Sequence, residues 1–126
     1  GHISTFGGHP VCCAAGMAAF NVLLEENLIA SVKEKEQLFI SLLTQASDGL
    51  EPSRRLTVRS CGLMIAVEFE NFEINKKIID ALIIEGVFTD WFLFASNCMR
   101  IAPPLVISNS EITMACKKII EILKNL

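Results

Sequence analysis

Residues 4–20 read STFGGHPVCCAAGMAAF, a short polar loop that runs directly into an apolar stretch. Glycines such as Gly7 and Gly8 let a backbone approach a ligand closely, and Pro10 suits the first position of a helix. The free N–H groups at such a helix start attract anions, and the Thr5 hydroxyl is a suitable donor to a phosphate oxygen. From these residues alone, an anion site and an ordinary helix-start loop both remain open.

The helix predicted after Pro10 is apolar on every side as far as Leu24, apart from Asn21. Such a helix has no face that suits water, so we expect it to be buried against a further domain or a partner subunit. The apolar run is shorter than the roughly 20 residues of a membrane span and lacks the basic leader of a signal peptide. We therefore predict no membrane association.

The composition is that of a globular protein, with 52% apolar and 20% charged residues among 126. This length corresponds to one domain, or to one domain and part of another. The net charge of -3 gives no reason to expect nucleic acid as a partner. The chain begins without a methionine and inside a loop of functional character, so we expect it to be a fragment of a longer protein.

The cysteines form no C-x-x-C pair, and the histidines are His2 and His9. Zinc sites need paired spacings, so we predict no metal site. Each cysteine lies in an apolar context, which favours buried, reduced thiols and a cytoplasmic location. The cysteines are Cys12, Cys13, Cys61, Cys98 and Cys116.

The rest of the pattern predicts three more helices and several strands. We expect a helix from Leu28 to Ala46, a helix after Asn71 as its N-cap, and a helix that begins with the capping box Ser108-x-x-Glu111. Alternation of apolar and polar residues over 56–70 predicts two strands, or one strand bent at Gly62. On the second helix, the polar side chains expected to point to water are Lys33, Glu34, Glu36 and Gln37.

Between the third and fourth helices we expect a strand at 87–90, an aromatic loop at 91–97 and a strand at 98–102. The strands lie too close together in sequence for every connection to be a helical crossover. We therefore predict an α+β fold, in which a small, mostly antiparallel sheet has helices packed on one face and follows a long apolar helix.

Arg100 is the second candidate site residue. By alternation, Met99 and Ile101 face one side of the strand and Arg100 faces the other. The prolines that follow, Pro103 and Pro104, fix the backbone. A guanidinium held beside a pocket suits a carboxylate, because its planar fork pairs with two oxygens. A surface arginine that extends over the sheet edge is the alternative.

A third group, Asp90-Trp91-Phe92 with Phe94, either lines a substrate pocket beside the arginine or closes the core. We favour the core for Trp91 and Phe94. Nucleophilic catalysis has little support, because no G-x-S-x-G elbow and no triad pattern occur. The lysines all lie on polar faces of predicted helices, where a Schiff-base lysine is not expected. We therefore assign no catalytic residue.

Three motifs together resemble the class III aminotransferases, fold type I enzymes that use pyridoxal phosphate (PLP). Residues 2–10, HISTFGGHP, followed by Cys13-Ala14-Ala15, are similar to the end of that family's large domain. Residues 61–69, CGLMIAVEF, look like the first core strand of its small domain, and residues 99–105, MRIAPPL, like its carboxylate-binding strand. The resemblance covers nearly the whole chain and is greatest to the acetylornithine/ornithine-type branch.

The resemblance implies roles for these residues. Thr5, with Ser4 beside it, would contact the PLP phosphate across a homodimer interface, and Arg100 would bind the α-carboxylate of an amino acid. The reaction would be a ping-pong transfer of an amino group between an amino acid and a 2-oxo acid. Residues 1–26 would be the tail of the large domain and residues 27–126 the small domain.

The resemblance also implies what the chain lacks. The family's Schiff-base lysine lies upstream of the Thr5 loop, so we expect this chain alone to be inactive. The loop departs from the family pattern at two positions, because His9 stands where the family often has Asn and Ile3 stands where it often has Gly. Within the enzyme class, an aminomutase or decarboxylase of the same family is an alternative. From a different class, the alternative is a stand-alone α+β module with a regulatory or small-ligand-binding function.

Overall fold

The computed structural model describes residues 3–48 and 56–125. Among those residues the elements are α1 (Pro10–Glu25), α2 (Leu28–Asp48), β1 (Thr57–Cys61), β2 (Met64–Glu68), α3 (Phe72–Ile84), β3 (Asp90–Phe92), β4 (Ala95–Ile101) and α4 (Asn109–Lys124). The chain divides into two compact units, residues 1–31 and 32–126, with the boundary inside α2.

The strands form one antiparallel sheet in the order β1-β2-β4-β3. β1 and β2 are joined by a tight hairpin at Gly62, whose φ of 60° is in the left-handed region that favours glycine. β2 then pairs with β4, which places Val67 opposite Met99 in the middle of the sheet. The prediction of an α+β fold with a mostly antiparallel sheet is confirmed.

One face of the sheet forms the core of the second unit together with the helices. Ile65 and Val67 of β2 and Met99 of β4 are fully buried, and they occupy alternate positions of their strands. The helical residues of this core are Phe39, Leu43, Ile78, Ile79, Leu82, Ile112, Cys116, Ile119, Ile120 and Leu123. The predicted placement of helices on one sheet face is therefore confirmed.

The predicted helix ends follow the local chemistry. The Asn71 side chain accepts a hydrogen bond from the Ile74 N–H at 3.0 Å at the start of α3. Ser108 and Glu111 form the predicted capping box of α4. Gly86, with φ of 80°, follows α3, and Asn27, with φ of 51°, separates α1 from α2. The predicted starts of α3 and α4 are therefore confirmed.

The region before Arg100 differs from the prediction. In place of a long aromatic loop, β3 and β4 form a tight hairpin in which Trp91 pairs with Met99. Trp91 packs against the core, as expected. Its ring also meets that of Phe72 edge to face, with 5.3 Å between the ring centroids. Phe94 lies in the turn and is 98% exposed, so the prediction that it closes the core is wrong. A turn this short leaves the Phe94 side chain outside the sheet and exposed to solvent.

Glu36 was expected to point to water, and this is wrong because its side chain is 7% exposed. Its carboxylate accepts hydrogen bonds from the Gly62 N–H at 3.1 Å and from Lys33 Nζ at 2.8 Å. The hydrogen bond from Lys33, followed by one from Ser60, holds the pKa of Glu36 below its ordinary value. The carboxylate therefore ties α2 to the β1–β2 hairpin.

The prediction of buried thiols holds for two of the cysteines. Cys98 and Cys116 are buried, and burial raises the pKa of the Cys116 thiol from 9.0 to about 12. Cys61 is exposed, so for this residue the prediction is wrong. Cys12 and Cys13 are also exposed in this chain, but their burial depends on what packs against α1 and stays a prediction. Cys61 ends the edge strand β1, and the other two lie on α1.

α1 is helical over the predicted range, but none of its residues is buried. The expectation that it packs against a further domain or subunit stays a prediction. Within the described residues, no single helix is long and apolar enough to cross a membrane, and only α1 and α2 taken together as a bent pair reach that threshold.

Candidate functional site

The polar loop of the first unit forms a compact turn ahead of α1. The Gly7 N–H donates to the Ser4 carbonyl at 3.4 Å, and the His9 N–H donates to the Phe6 carbonyl at 3.1 Å. Pro10 is the first helical residue, as predicted, and the first turn of α1 carries no acidic side chain. Nothing acidic in that turn therefore opposes an anion at the helix start.

The hydroxyls of Ser4 and Thr5 lie exposed in this loop. The Cys13 N–H is the first to donate within the helix, to the His9 carbonyl at 2.9 Å, so the N–H groups before it precede the hydrogen-bond ladder. Two hydroxyl donors beside a helix N-terminus are suited to phosphate oxygens. The residues present fit the phosphate end of PLP, while the roles of Ser4 and Thr5 stay predictions.

In the second unit, four residues stand side by side across the sheet face opposite the core. Arg59 pairs with Ala66, Ala66 with Arg100, and Arg100 with Asp90, each on a neighbouring strand. Met99 is fully buried on the other face, so Arg100 faces away from the core as predicted. Because strands lie about 4.8 Å apart, the two arginines begin about 10 Å apart at their Cα atoms.

A cavity of about 540 Å³ lies on this face. Both guanidinium side chains, Arg59 and Arg100, line it. The remaining wall comes from β2, the β3–β4 turn and the start of β4 and is mostly apolar, namely Met64, Ala66, Phe92, Leu93, Phe94, Ala95 and Cys98. Aromatic residues beside Arg100 therefore line a pocket, the alternative that the sequence had left open for this group.

The two arginines are held in different ways. Arg59 Nη1 donates to the Glu68 carboxylate, and Arg59 Nη2 donates to Cys98 Sγ at 3.5 Å. The hydrogen bond to Glu68 raises the pKa of Arg59 above its ordinary value. Arg100 Nη2 lies 3.6 Å from Asp90 Oδ2, which is an ion pair but too long for a hydrogen bond. Among residues 3–48 and 56–125, the Arg59 guanidinium is thus hydrogen-bonded to two neighbours, while the Arg100 guanidinium has an ion pair without a hydrogen bond.

The lysines all lie within the described residues, and none of them is buried. The two that are half-buried, Lys35 and Lys118, donate to the backbone carbonyls of Leu105 and Glu85. Neither stands in the desolvated pocket that a Schiff-base lysine needs. Within residues 3–48 and 56–125, no group of three histidine, cysteine, aspartate or glutamate side chains is placed to hold a metal ion.

Sequence reasoning did not single out Arg59. The signal was available in principle, because the alternation through β1 places Arg59 on the same face as Ala66 once the hairpin register at Gly62 is known. The sequence pattern groups Asp90 with the aromatic residues that follow it, but it does not indicate the pairing of Asp90 with Arg100. That pairing follows only from the tight β3–β4 turn.

Comparison with known proteins shows consistent similarity over the whole chain. The family model for aminotransferase class-III matches residues 1–123. Acetylornithine aminotransferase from Elizabethkingia anophelis is 28% identical, with a TM-score of 0.85, over 100% of this chain and 33% of that one. Ornithine aminotransferase from Plasmodium yoelii is 28% identical, with a TM-score of 0.82, over 98% of this chain and 32% of that one.

A third similar structure carries a cofactor. Ornithine aminotransferase from Toxoplasma gondii, crystallised with oxidised glutathione, is 31% identical with a TM-score of 0.81, over 97% of this chain and 28% of that one. That structure has PLP at partial occupancy in its active site. The chain thus spans about a third or less of the length of each of these aminotransferases.

Proposed function

Because the chain belongs to the class III aminotransferase family, we propose that it is the C-terminal part of a PLP-dependent transaminase. The longer protein transfers an amino group between an amino acid and a 2-oxo acid. The observation that carries this proposal is Arg100, which faces a cavity from a rigid strand and has no hydrogen bond to its acidic neighbour Asp90. A guanidinium so placed binds a substrate carboxylate through two parallel N–H···O bonds.

The sheet supplies the rigidity that such binding needs. β4 is paired on both sides, with β2 and with β3, so the backbone of Arg100 is fixed by two strands. The Thr89 hydroxyl donates to the Arg100 carbonyl at 2.6 Å and adds a third attachment. A side chain carried on such a scaffold holds the substrate carboxylate in one place, which orients the reacting end of the amino acid.

The loop of the first unit holds the cofactor in this proposal. PLP, when bound, supplies the electron sink for the exchange of the amino group. The hydroxyls of Thr5 and Ser4 and the N–H groups at the start of α1 would hold its phosphate. We place this contact across the interface of a homodimer, with residues 1–26 in the large domain and residues 27–126 as the small domain. A cytoplasmic location remains a prediction.

The chain alone is expected to be inactive. None of its lysines lies in a desolvated pocket, so the residue that would hold PLP covalently and move the proton is expected in the preceding part of the longer protein. The test is to incubate the 126-residue chain with PLP and an amino donor and to assay for 2-oxo acid. Any turnover above the rate with PLP alone would refute this expectation.

The role of Arg100 is tested in the longer protein by Arg100→Gln. Loss of a charged hydrogen-bonding pair of about 1.5–3 kcal/mol lowers kcat/KM for the amino acid by roughly ten- to a hundred-fold. Arg59→Gln is the matched control, because it also removes a guanidinium from the cavity and also leaves a carboxylate, Glu68, without its partner. We expect a much smaller loss from Arg59→Gln. Equal losses would contradict the assignment of Arg100.

A further inference from the structure

Asp90 stands directly beside the arginine to which we assign the substrate carboxylate. The two residues are opposite each other on β3 and β4, and their side chains are equally accessible, each 46% exposed. A ligand carboxylate that reaches Arg100 therefore meets a second carboxylate already present. The negative charge of Asp90 therefore acts on any anion that binds to Arg100.

The contact between them does not serve to orient the guanidinium. At 3.6 Å, the approach of Nη2 to Oδ2 is a single long ion pair, without the two short bonds of a bidentate arginine–carboxylate pair. Asp90 is oriented by another group, since its Oδ1 accepts from the Trp91 N–H at 2.8 Å. The Arg100 backbone is fixed by its strand partners and by Thr89. What Asp90 contributes to Arg100 is thus negative charge.

We propose that Asp90 is a specificity-determining residue, which lowers the affinity of Arg100 for ligands of net negative charge and so favours the zwitterionic amino acid over the 2-oxo acid. The inference rests on the proposed function of Arg100. An amino acid brings a carboxylate together with an ammonium group and has no net charge, so Asp90 opposes it little. A 2-oxo acid brings the carboxylate with a neutral carbonyl, so the repulsion from Asp90 is not offset.

Arg59, the other arginine of the cavity, is paired with its neighbours in a different way from Arg100. Arg59 is hydrogen-bonded both to Glu68 and to Cys98. Both Nη atoms of Arg59 therefore donate a hydrogen bond. The Arg100 guanidinium, in contrast, has an ion pair with Asp90 that is too long for a hydrogen bond. Asp90 therefore acts on the Arg100 guanidinium through charge, without a hydrogen bond, while Glu68 fixes the Arg59 guanidinium by hydrogen bonding.

The experiment measures ligand binding to the 126-residue chain by NMR, from the Nε–H signal of Arg100, with pyruvate and alanine as probes. Asp90→Asn removes the charge but keeps Oδ1 as acceptor for the Trp91 N–H. We expect it to tighten pyruvate binding by about two- to five-fold at low salt, the range for half-exposed ion pairs, and to change alanine binding by less than about 1.5-fold. The gain for pyruvate should disappear in about 1 M salt.

Asp80→Asn is the matched control. Asp80 is a half-exposed aspartate on α3 that pairs with Lys76, so the variant changes the net charge equally, away from Arg100. It should leave both affinities unchanged. If Asp90→Asn leaves pyruvate binding unchanged or weakens it, or if pyruvate binds neither the original chain nor this variant, the inference is overturned. If instead Arg100→Gln leaves pyruvate binding intact, the proposed function is the part that fails.

Discussion

The two units of the chain are both rich in apolar residues, but among the described residues the buried ones all lie in the second unit. Ile65, Val67 and Leu82 in the second unit are 0% exposed, whereas Val11 and Met17 on α1 are 69% and 62% exposed. Helix formation needs only local sequence, and α1 satisfies it with proline at its start. Burial needs a complementary surface, which the sheet and helices supply to each other in the second unit. Composition therefore predicted the helix but not where its side chains pack.

The largest contrast is expected from the same leucine truncation made in each unit. Leu82→Ala on α3 opens a cavity in the core and should lower the free energy of unfolding by about 2–5 kcal/mol. Leu24→Ala on α1, where the side chain is 59% exposed, should change it by less than about 0.5 kcal/mol. Urea unfolding, followed through the fluorescence of Trp91, the only tryptophan, measures both. Equal losses of unfolding free energy in Leu82→Ala and Leu24→Ala would contradict this difference between the two units.

A second contrast comes from two glycines with left-handed backbones. In Gly62→Ala, the new Cβ would lie 2.9 Å from Val32 Cγ1 at a φ of 60°, and we expect a loss of about 2–4 kcal/mol in the free energy of unfolding. In Gly8→Ala, at a φ of 77°, no atom lies within 4 Å. Its loop adds nothing to the core, so unfolding of the second unit should shift by less than about 0.5 kcal/mol. A larger loss for Gly8→Ala would reverse the contrast.

The smallest expected effect is on the stability of the second unit in acid. Because the folded-state pKa of Glu36 is lowered, chiefly by the hydrogen bond from Lys33, its contribution to stability is present above its ordinary pKa of 4.5 and is lost as the pH falls below that value. Thermal unfolding between about pH 6 and pH 3 should show Tm falling less steeply in Glu36→Gln. Glu34→Gln, at an exposed position of α2, is the control. Identical slopes in Glu36→Gln and the unaltered chain would contradict this role.

Much of the fold was predictable where one residue decides the local conformation. Asn71 and Ser108 accept from the first turns of their helices, and Gly86 provides the left-handed residue that ends α3. Alternation placed Arg100 and Met99 on opposite faces of β4 correctly. These signals act over a few residues, so the sequence contains all that is needed to read them.

The remaining features depend on pairings between distant residues. Glu36 is buried because a backbone N–H in the β1–β2 hairpin needs an acceptor, and nothing near Glu36 in sequence indicates that. The position of Phe94 and the pairing of Asp90 with Arg100 both depend on the tight β3–β4 turn, which carries no glycine or proline to announce it. The cavity between Arg59 and Arg100 likewise exists only once the strand register is known.

The most direct test of the central claim is a crystal structure of the longer protein with PLP and a 2-oxo acid such as pyruvate. We predict that the Arg100 guanidinium contacts the carboxylate of the acid through two N–H···O bonds of about 2.7–2.9 Å, and that the Thr5 hydroxyl contacts the phosphate of PLP. A structure in which Arg100 points away from the bound acid, and Thr5 away from the cofactor, would contradict it.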